Sequence, residues 1–179
     1  MNLLRKNGKK YSAFFALILV SILLDQWTKH LAVRYLQDAP IRLIDGVFHL
    51  SYVENRGAAF GILSNHQWVF WLFSVLGILA LTVYLILDRS LLDEKNAETG
   101  AYPPIPFPVG LCIAAIIGGG IGNMIDRIRL GYVVDFFDFT LINFAVFNVA
   151  DSFVTVGSFL LIFLLALPLF KTKKEKKEQ

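Results

Sequence analysis

Most of the side chains that could do chemistry in this sequence lie at the ends of apolar runs. They belong to Asp25, Lys29, Asn123, Asp126, Arg127, Asp135, Asn148 and Asp151. An ionisable side chain at bilayer depth costs about 2.5–3.5 kcal/mol on insertion scales, so its presence there requires a reason. We therefore take this set as the candidate site.

Two aspartates in the set have contrasting surroundings. Asp135 lies in YVVDFF, where apolar neighbours should raise the pKa of its carboxyl by desolvation. Asp151 follows Asn148 by three residues at the start of an apolar run. If Asn148 caps a helix, the free N–H groups and the helix dipole favour an ionised Asp151. One protonated and one ionised carboxyl predict a general acid and a general base, although an ordinary cap with a first-turn acid has the same spacing.

Other polar residues leave alternatives open. Asp138 competes with Asp135 for the acid role, but a strand would direct the two side chains to opposite faces. Asp25 and Lys29 are four residues apart, so they share one helical face and can form an ion pair. In the alternative, Lys29 contacts a substrate headgroup or carbonyl near the membrane surface. The spacing alone does not distinguish these two roles.

Other reaction classes are poorly supplied with residues. The sequence has no P-loop, no HExxH and no GxSxG motif, and its three histidines lack ligand spacing. The single cysteine, Cys112, lies in an apolar run and is expected to pack there. We predict no cofactor and no metal. Carboxylates that hold Mg²⁺ or Ca²⁺ remain an alternative, because a hard cation would use the same residues.

The elements that must position these residues are membrane spans. The chain has 179 residues, of which 56% are apolar and 17% charged, with a mean hydropathy of +0.59. This composition predicts an all-α integral membrane protein with a single domain over 1–179. Apolar runs predict four transmembrane helices, of which the first is an uncleaved span and not a signal peptide. The predicted spans are 11–33, 68–87, 105–126 and 150–170.

Basic residues predict the orientation of these spans. Eleven of the seventeen Lys and Arg residues lie in the two chain ends or in the connector 88–104. By the positive-inside rule, both termini and the lysine-rich tail 171–179 are therefore expected in the cytoplasm. The net charge of +3 then reflects topology, and we predict no nucleic-acid partner.

The two remaining loops, 34–67 and 127–149, are expected on the outer side and look extended. In the first, an Asp45-Gly46 turn between β-prone residues predicts a hairpin. In the second, GYVVDFFDF and the following LINFAVFN are rich in aromatic and β-branched residues. Together they predict a small sheet on the membrane surface.

Five motifs in order resemble the lipoprotein signal peptidase family, which is signal peptidase II of bacteria. They are DQWTK at 25–29, ENRGAAFG at 54–61, GGGIGNMIDR at 118–127, VVDF at 133–136 and FNVADS at 147–152. The resemblance implies a four-helix inner-membrane aspartyl protease with an extracytoplasmic β-cradle and a short helical segment over the active site. Such an enzyme removes the signal peptide of a prolipoprotein, cutting before its diacylglyceryl-modified lipobox cysteine.

The resemblance also implies roles for individual residues. Asp135 and Asp151 correspond to the catalytic dyad. The supporting residues of the family correspond to Asp25, Lys29, Asn55, Gly57, Asn123, Asp126, Arg127 and Asn148. The expected partners are modified prolipoproteins and membrane lipids, and the expected state is a monomer with its active site near the outer surface of the inner membrane.

Two rival functions use the same residues. A proton- or cation-coupled transporter would use intramembrane Asp and Lys as a relay, but it predicts acidic groups at the midplane and on both sides. A metal-dependent membrane hydrolase would lose its activity in a chelator.

Overall fold

Four helices and a three-stranded sheet make up the parts of the chain that the structure describes. A computed structural model describes residues 2–57, 67–87 and 105–175. The helices are α1 (Asn2–Tyr35), α2 (Gln67–Ile86), α3 (Phe107–Leu130) and α4 (Val149–Glu175). Each coincides with one predicted span, but α1 begins before residue 11, α3 continues past 126 and α4 continues past 170.

Three of these helices contain stretches long and apolar enough to cross a membrane, namely Gly8–Tyr35, Phe107–Leu130 and Val149–Leu167. In α2 the apolar stretch Trp71–Ile86 is shorter. Large apolar side chains are exposed on the outer faces of the bundle, as expected where lipid and not water is the solvent. The protein is therefore a helical membrane protein that also carries a small sheet.

The third helix, α3, is the centre of the bundle and packs against the other three helices. Two glycines on α3 permit this packing. A Cβ at Gly119 would collide with the carbonyl oxygen of Ala150 on α4. A Cβ at Gly122 would lie 2.6 Å from a carboxylate oxygen of Asp25 on α1. Glycine is therefore needed for α1 and α4 to approach α3 at the level of the candidate site.

The sheet packs on the C-terminal end of α1. Its strands are antiparallel in the order β1 (Ile41–Ile44), β2 (Phe48–Asn55) and β3 (Val133–Asp138). The predicted hairpin at Asp45-Gly46 is confirmed, because β1 pairs with β2 across a turn at 45–47. Ala32 and Leu36 form a core with Val134 and Phe136. This packing holds β3 against the helix ends.

The register between β2 and β3 has an irregularity that matters for the site. His49 pairs with Asp138, whereas Val53 pairs with Asp135, and the register shifts between Leu50 and Val53. Such a bulge bends a strand and re-aims its side chains. The register shift lies between the residue that pairs with Asp138 and the residue that pairs with Asp135, so the two aspartates belong to different registers of the same strand pair.

After β3 the chain is not extended as predicted. Thr140–Ile142 form a 3₁₀-helix, which ends at Asn143 with a left-handed φ of 48°. The expectation of an extended LINFAVFN is wrong at its start, where the chain turns back and the rings of Phe139 and Phe144 pack on Phe147. It is confirmed at Phe147, which pairs with Phe137 of β3 in an isolated antiparallel bridge. Other expectations for the connector 88–104, for 58–66 of the first outer loop and for 176–179 lie outside the described residues.

Candidate active site

Asp135 is held in place by two amide donors. Its side chain lies in β3 and is 1% exposed. Its Oδ1 accepts a hydrogen bond from Asn148 Nδ2 at 2.6 Å, and its Oδ2 accepts one from Asn55 Nδ2 at 2.8 Å. The backbone N–H of Gly57 donates to Asn55 Oδ1 at 3.0 Å, which orients that amide. Both carboxyl oxygens are therefore fixed by side chains from other elements.

The surroundings of Asp135 favour its protonated form. Burial, and then the charge of Asp151, raises the pKa of the Asp135 carboxyl to about 7. The amides of Asn55 and Asn148 and the charge of Lys29 act in the opposite direction without cancelling the rise. The direction agrees with the one predicted from the apolar sequence around this residue.

Asp151 is in the first turn of α4, and Asn148 caps this helix as predicted. The N–H of Asp151 donates to Asn148 Oδ1 at 2.9 Å, and the N–H of Asn148 donates to Asp151 Oδ2 at 3.2 Å. This reciprocal pair is a capping box with an aspartate at its third position. An ordinary cap does not account for the remaining contact, in which Asn123 Nδ2 donates to Asp151 Oδ1 at 2.7 Å.

One residue, Asn148, connects the two carboxyl groups. It is fully buried, and besides its bond to Asp135 its Nδ2 lies 3.0 Å from Asn123 Oδ1. Asn148 therefore donates to the carboxyl of Asp135 with its side-chain nitrogen and to the carboxyl of Asp151 with its backbone N–H. Asp135 and Asp151 belong to a single buried polar network.

Below this network lies a cluster of three buried charges. Lys29 Nζ is 2.9 Å from Asp25 Oδ2 and 2.9 Å from Asp126 Oδ2, and it donates to Asn123 Oδ1 at 2.8 Å. The predicted ion pair is confirmed. Since an ammonium has three N–H donors and all three have protein acceptors, none is left for a substrate headgroup. This arrangement favours the structural role of Lys29 over a contact with substrate.

The two acids of the cluster also bind backbone near the dyad. Asp25 Oδ1 accepts the N–H of Ala150 at 2.9 Å, and Asp126 Oδ2 accepts the N–H of Val134 at 3.1 Å. The sequence reasoning missed Gln26, whose Nε2 donates to Asp126 Oδ1 at 3.0 Å. Gln26 lies three residues before Lys29 and so shares a helical face with it, which is the spacing signal that could have found it.

Arg127 lies near the network without a direct bond to it. It interacts electrostatically with Asp151, Asp135 and Asp126, in that order of strength. Its side chain is half-buried and lines a narrow polar cavity, which is bordered by Asn55, Arg56, Gly57, Trp71, Gly131 and Tyr132. Arg127 thus supplies positive charge at the mouth of the site.

Asp138 is outside the network. Its Oδ2 accepts a hydrogen bond from Ser51 Oγ at 2.9 Å within the sheet. Within 2–57, 67–87 and 105–175, no three His, Cys, Asp or Glu side chains are grouped to hold a metal ion. Every other residue of the predicted site lies in or beside the network described above.

The chain is similar over most of its length to known proteins. The profile of the family described as "Signal peptidase (SPase) II" matches residues 17–167. A lipoprotein signal peptidase of Streptococcus thermophilus is 46% identical over 149 residues, which are 83% of this chain and 88% of that protein. One from Halalkalibacterium halodurans is 40% identical over 167 residues, covering 91% and 97% of the two chains.

A solved structure has a similar fold. It is described as a bacterial membrane enzyme determined by the in meso method at 2.3 Å resolution. It superposes with a TM-score of 0.70 at 26% identity and covers 94% of this chain and 93% of its own.

Proposed function

This chain belongs to the signal peptidase II family, and from that membership we propose which of its residues carry out the reaction. The protein is a membrane peptidase of the aspartic type that removes signal peptides from prolipoproteins, and the family cuts before the modified lipobox cysteine. The observation that carries our assignment is the buried network that joins two carboxyl groups through Asn148.

We propose that Asp135 and Asp151 are the catalytic dyad. The Asp151 carboxyl accepts two N–H donors and lies in the first turn of a helix, where the helix dipole favours negative charge; both support its role as the base that takes a proton from the attacking water. Asp135, with its pKa near 7, supplies its proton to the scissile carbonyl oxygen as the water adds to the carbon. When the tetrahedral intermediate collapses, the proton on Asp151 passes to the departing amine, and the proton returned from the hydroxyl restores Asp135.

The remaining site residues support this reaction. Asn55, with its amide oriented by Gly57, and Asn148 hold the Asp135 carboxyl in one orientation. Arg127 is close enough to the acids to balance the charge of the developing oxyanion. The other four residues, Asp25, Lys29, Asn123 and Asp126, act from beneath the dyad and do not contact substrate.

The membrane arrangement follows from length and charge. α2 has 20 residues and is therefore about 30 Å long, which supports a fourth spanning helix in one domain over 1–179. The surplus of basic residues supports cytoplasmic termini, so the sheet and the dyad lie at the outer surface as a cradle for the substrate. There the acyl chains of the substrate can remain in the lipid. We take the monomer as the active unit, because one chain provides the whole network.

A cleavage assay tests this function. The purified protein is incubated with a diacylglyceryl-modified prolipoprotein and, as a matched control, with the same prolipoprotein lacking the modification. We expect mass spectrometry to find a new N-terminus at the modified cysteine in the first reaction only. No cleavage, or cleavage at another bond, would contradict the proposal.

Two additions to this assay separate the rival functions. Loss of cleavage in a chelator would favour a metal-dependent hydrolase, whereas we expect the rate to be retained. Proton or cation uptake into proteoliposomes by the Asp151→Asn variant would favour a transporter, and we expect none.

A further inference from the structure

Lys29 occupies a position from which it contacts neither the substrate nor the dyad, yet it is linked to both aspartates. Lys29 is 3% exposed, and its ammonium is surrounded by Asp25, Asp126 and Asn123. We infer that Lys29 is a positioning residue, which turns the Asn123 amide so that its N–H faces Asp151 and anchors the two acids that hold the backbone beside each catalytic aspartate. This inference rests on the proposed dyad.

The orientation of the Asn123 amide follows from donor chemistry. Lys29 can only donate, so the atom of Asn123 that lies 2.8 Å from its Nζ must be the carbonyl oxygen. The amide nitrogen then faces Asp151 Oδ1 at 2.7 Å. A reversed amide would place its NH₂ group against the ammonium and its oxygen against a carboxylate. Lys29, together with the Asn148 Nδ2 that lies 3.0 Å from the same oxygen, therefore orients the amide so that Asp151 receives an N–H donor.

Lys29 also acts on the backbone, through its two acid partners. Asp25 accepts the N–H of Ala150, the residue before Asp151, and Asp126 accepts the N–H of Val134, the residue before Asp135. Both acids are almost fully buried, and a buried carboxylate without a partner is strongly unfavourable. By pairing with both, Lys29 offsets the cost of burying two carboxyl groups at these backbone positions.

The charged groups around Asp151 determine what a change at Lys29 would do. Asp135 faces it from β3, and Arg127 and the Asn123 amide face it from α3. Asp126 lies behind Asn123 on α3, and Asp25 and Lys29 lie behind it on α1. Removing the Asn123 donor leaves the Asp151 carboxyl with one N–H donor fewer, while its position beside Asp135 is unchanged. The ionised form of Asp151, which is the proposed base, then becomes less favourable.

The test is the pH profile of kcat/KM on a diacylglyceryl-modified prolipoprotein. Asn123→Leu removes the donor and retains Lys29, so we expect the acidic limb to move to higher pH by about one unit while the alkaline limb stays. Lys29→Met is expected to move the acidic limb in the same direction by a smaller amount, because Asn148 still donates to the Asn123 oxygen, and to lower kcat at least about tenfold with little change in KM. Combining the two substitutions should move the acidic limb little further than Asn123→Leu alone, because Lys29 acts on Asp151 through Asn123.

Two further variants keep the test decisive. The Asp25→Asn/Lys29→Met variant removes one charge of each sign, so it guards against misfolding of the single variant. Phe14→Ala is the stability control. Phe14 lies on α1 and packs against apolar residues of α3, away from the polar network. It should lower Tm and leave both limbs unchanged.

The outcomes separate the inference from the proposed function. If the Lys29 variants lower only Tm, as Phe14→Ala does, Lys29 is merely structural and the inference is overturned. If no Lys29 variant folds, an unchanged acidic limb in Asn123→Leu overturns it. Failure of the wild-type protein to cleave the modified substrate would instead contradict the proposed function itself.

Discussion

At the scale of single residues, Asp135 is the group whose surroundings make the clearest prediction. Its carboxyl is buried beside Asp151, and its pKa is raised to about 7. An acid with a raised pKa holds its proton below that value and loses it above. We therefore expect kcat/KM to fall as the pH rises through about 7, because the general acid is lost. A pH profile of cleavage that stays flat well above this pH would contradict the assignment of Asp135 as the acid.

The same carboxyl should weaken the fold as the pH rises from about 4 to about 7. Below its ordinary pKa of 3.8 it is protonated in both the folded and the unfolded chain, so it has no effect there. Between 3.8 and about 7 the unfolded chain ionises while the folded chain does not, and the penalty grows to at most about 4 kcal/mol.

Asp135→Asn removes this penalty. We expect the Tm of Asp135→Asn minus that of the wild type to increase from acidic to alkaline pH, as measured by thermal unfolding in detergent. Asp138→Asn serves as the matched control, because the Asp138 carboxyl lies in the sheet and accepts its hydrogen bond from Ser51, outside the network of Asp135. A difference that does not vary with pH would contradict the buried, protonated state of Asp135.

At this scale the sequence predicted what is local and missed what is distant. The cap by Asn148 and the pair of Asp25 with Lys29 follow from spacings of three and four residues, and both are present. Lys29 and Asp126 are far apart in the chain, so no local spacing predicts their contact. Only the packing of α1 on α3 brings these residues together.

At the scale of the elements, the approach of α1 to α3 depends on Gly122. A Cβ there would lie 2.6 Å from Asp25 Oδ2, and Asp25 would have to move away from the N–H of Ala150. We expect Gly122→Ala to lower stability by about 1–3 kcal/mol, as overpacking does, and to lower kcat.

The matched control is Gly77→Ala on α2, where nothing lies within 4 Å of the new methyl group. Because alanine favours a helix over glycine, this variant should be unchanged or slightly more stable. Equal effects of the two substitutions on Tm and kcat would contradict the close approach at Gly122.

The elements themselves were largely predictable. The four helices and the hairpin follow from apolar runs and from a turn signal between β-prone residues. The segment after β3 was not predictable in this way, because its aromatic residues have strand propensity but pack on one another around a 3₁₀ turn. The bulge in β2, where the register shifts between Leu50 and Val53, has no simple sequence signal either.

At the scale of the whole molecule, the proposed topology places the sheet on the outer side of the inner membrane and both termini in the cytoplasm. Asp45 has an 84% exposed side chain in the hairpin, and Gly8 is exposed near the start of α1. In a Cys112→Ala background, a membrane-impermeant maleimide should label Asp45→Cys in intact cells. It should label Gly8→Cys only after permeabilisation. The reverse pattern would contradict the orientation.

Cleavage of a modified prolipoprotein by purified Asp135→Asn and Asp151→Asn tests the proposed catalytic dyad most directly. Asp138→Asn is the control. The account predicts that each dyad variant remains folded and loses activity by on the order of 10²–10⁴-fold, the usual contribution of a general acid or base, while Asp138→Asn keeps most of its activity. If either dyad variant cleaved at close to the wild-type rate, the assignment of Asp135 and Asp151 would be wrong.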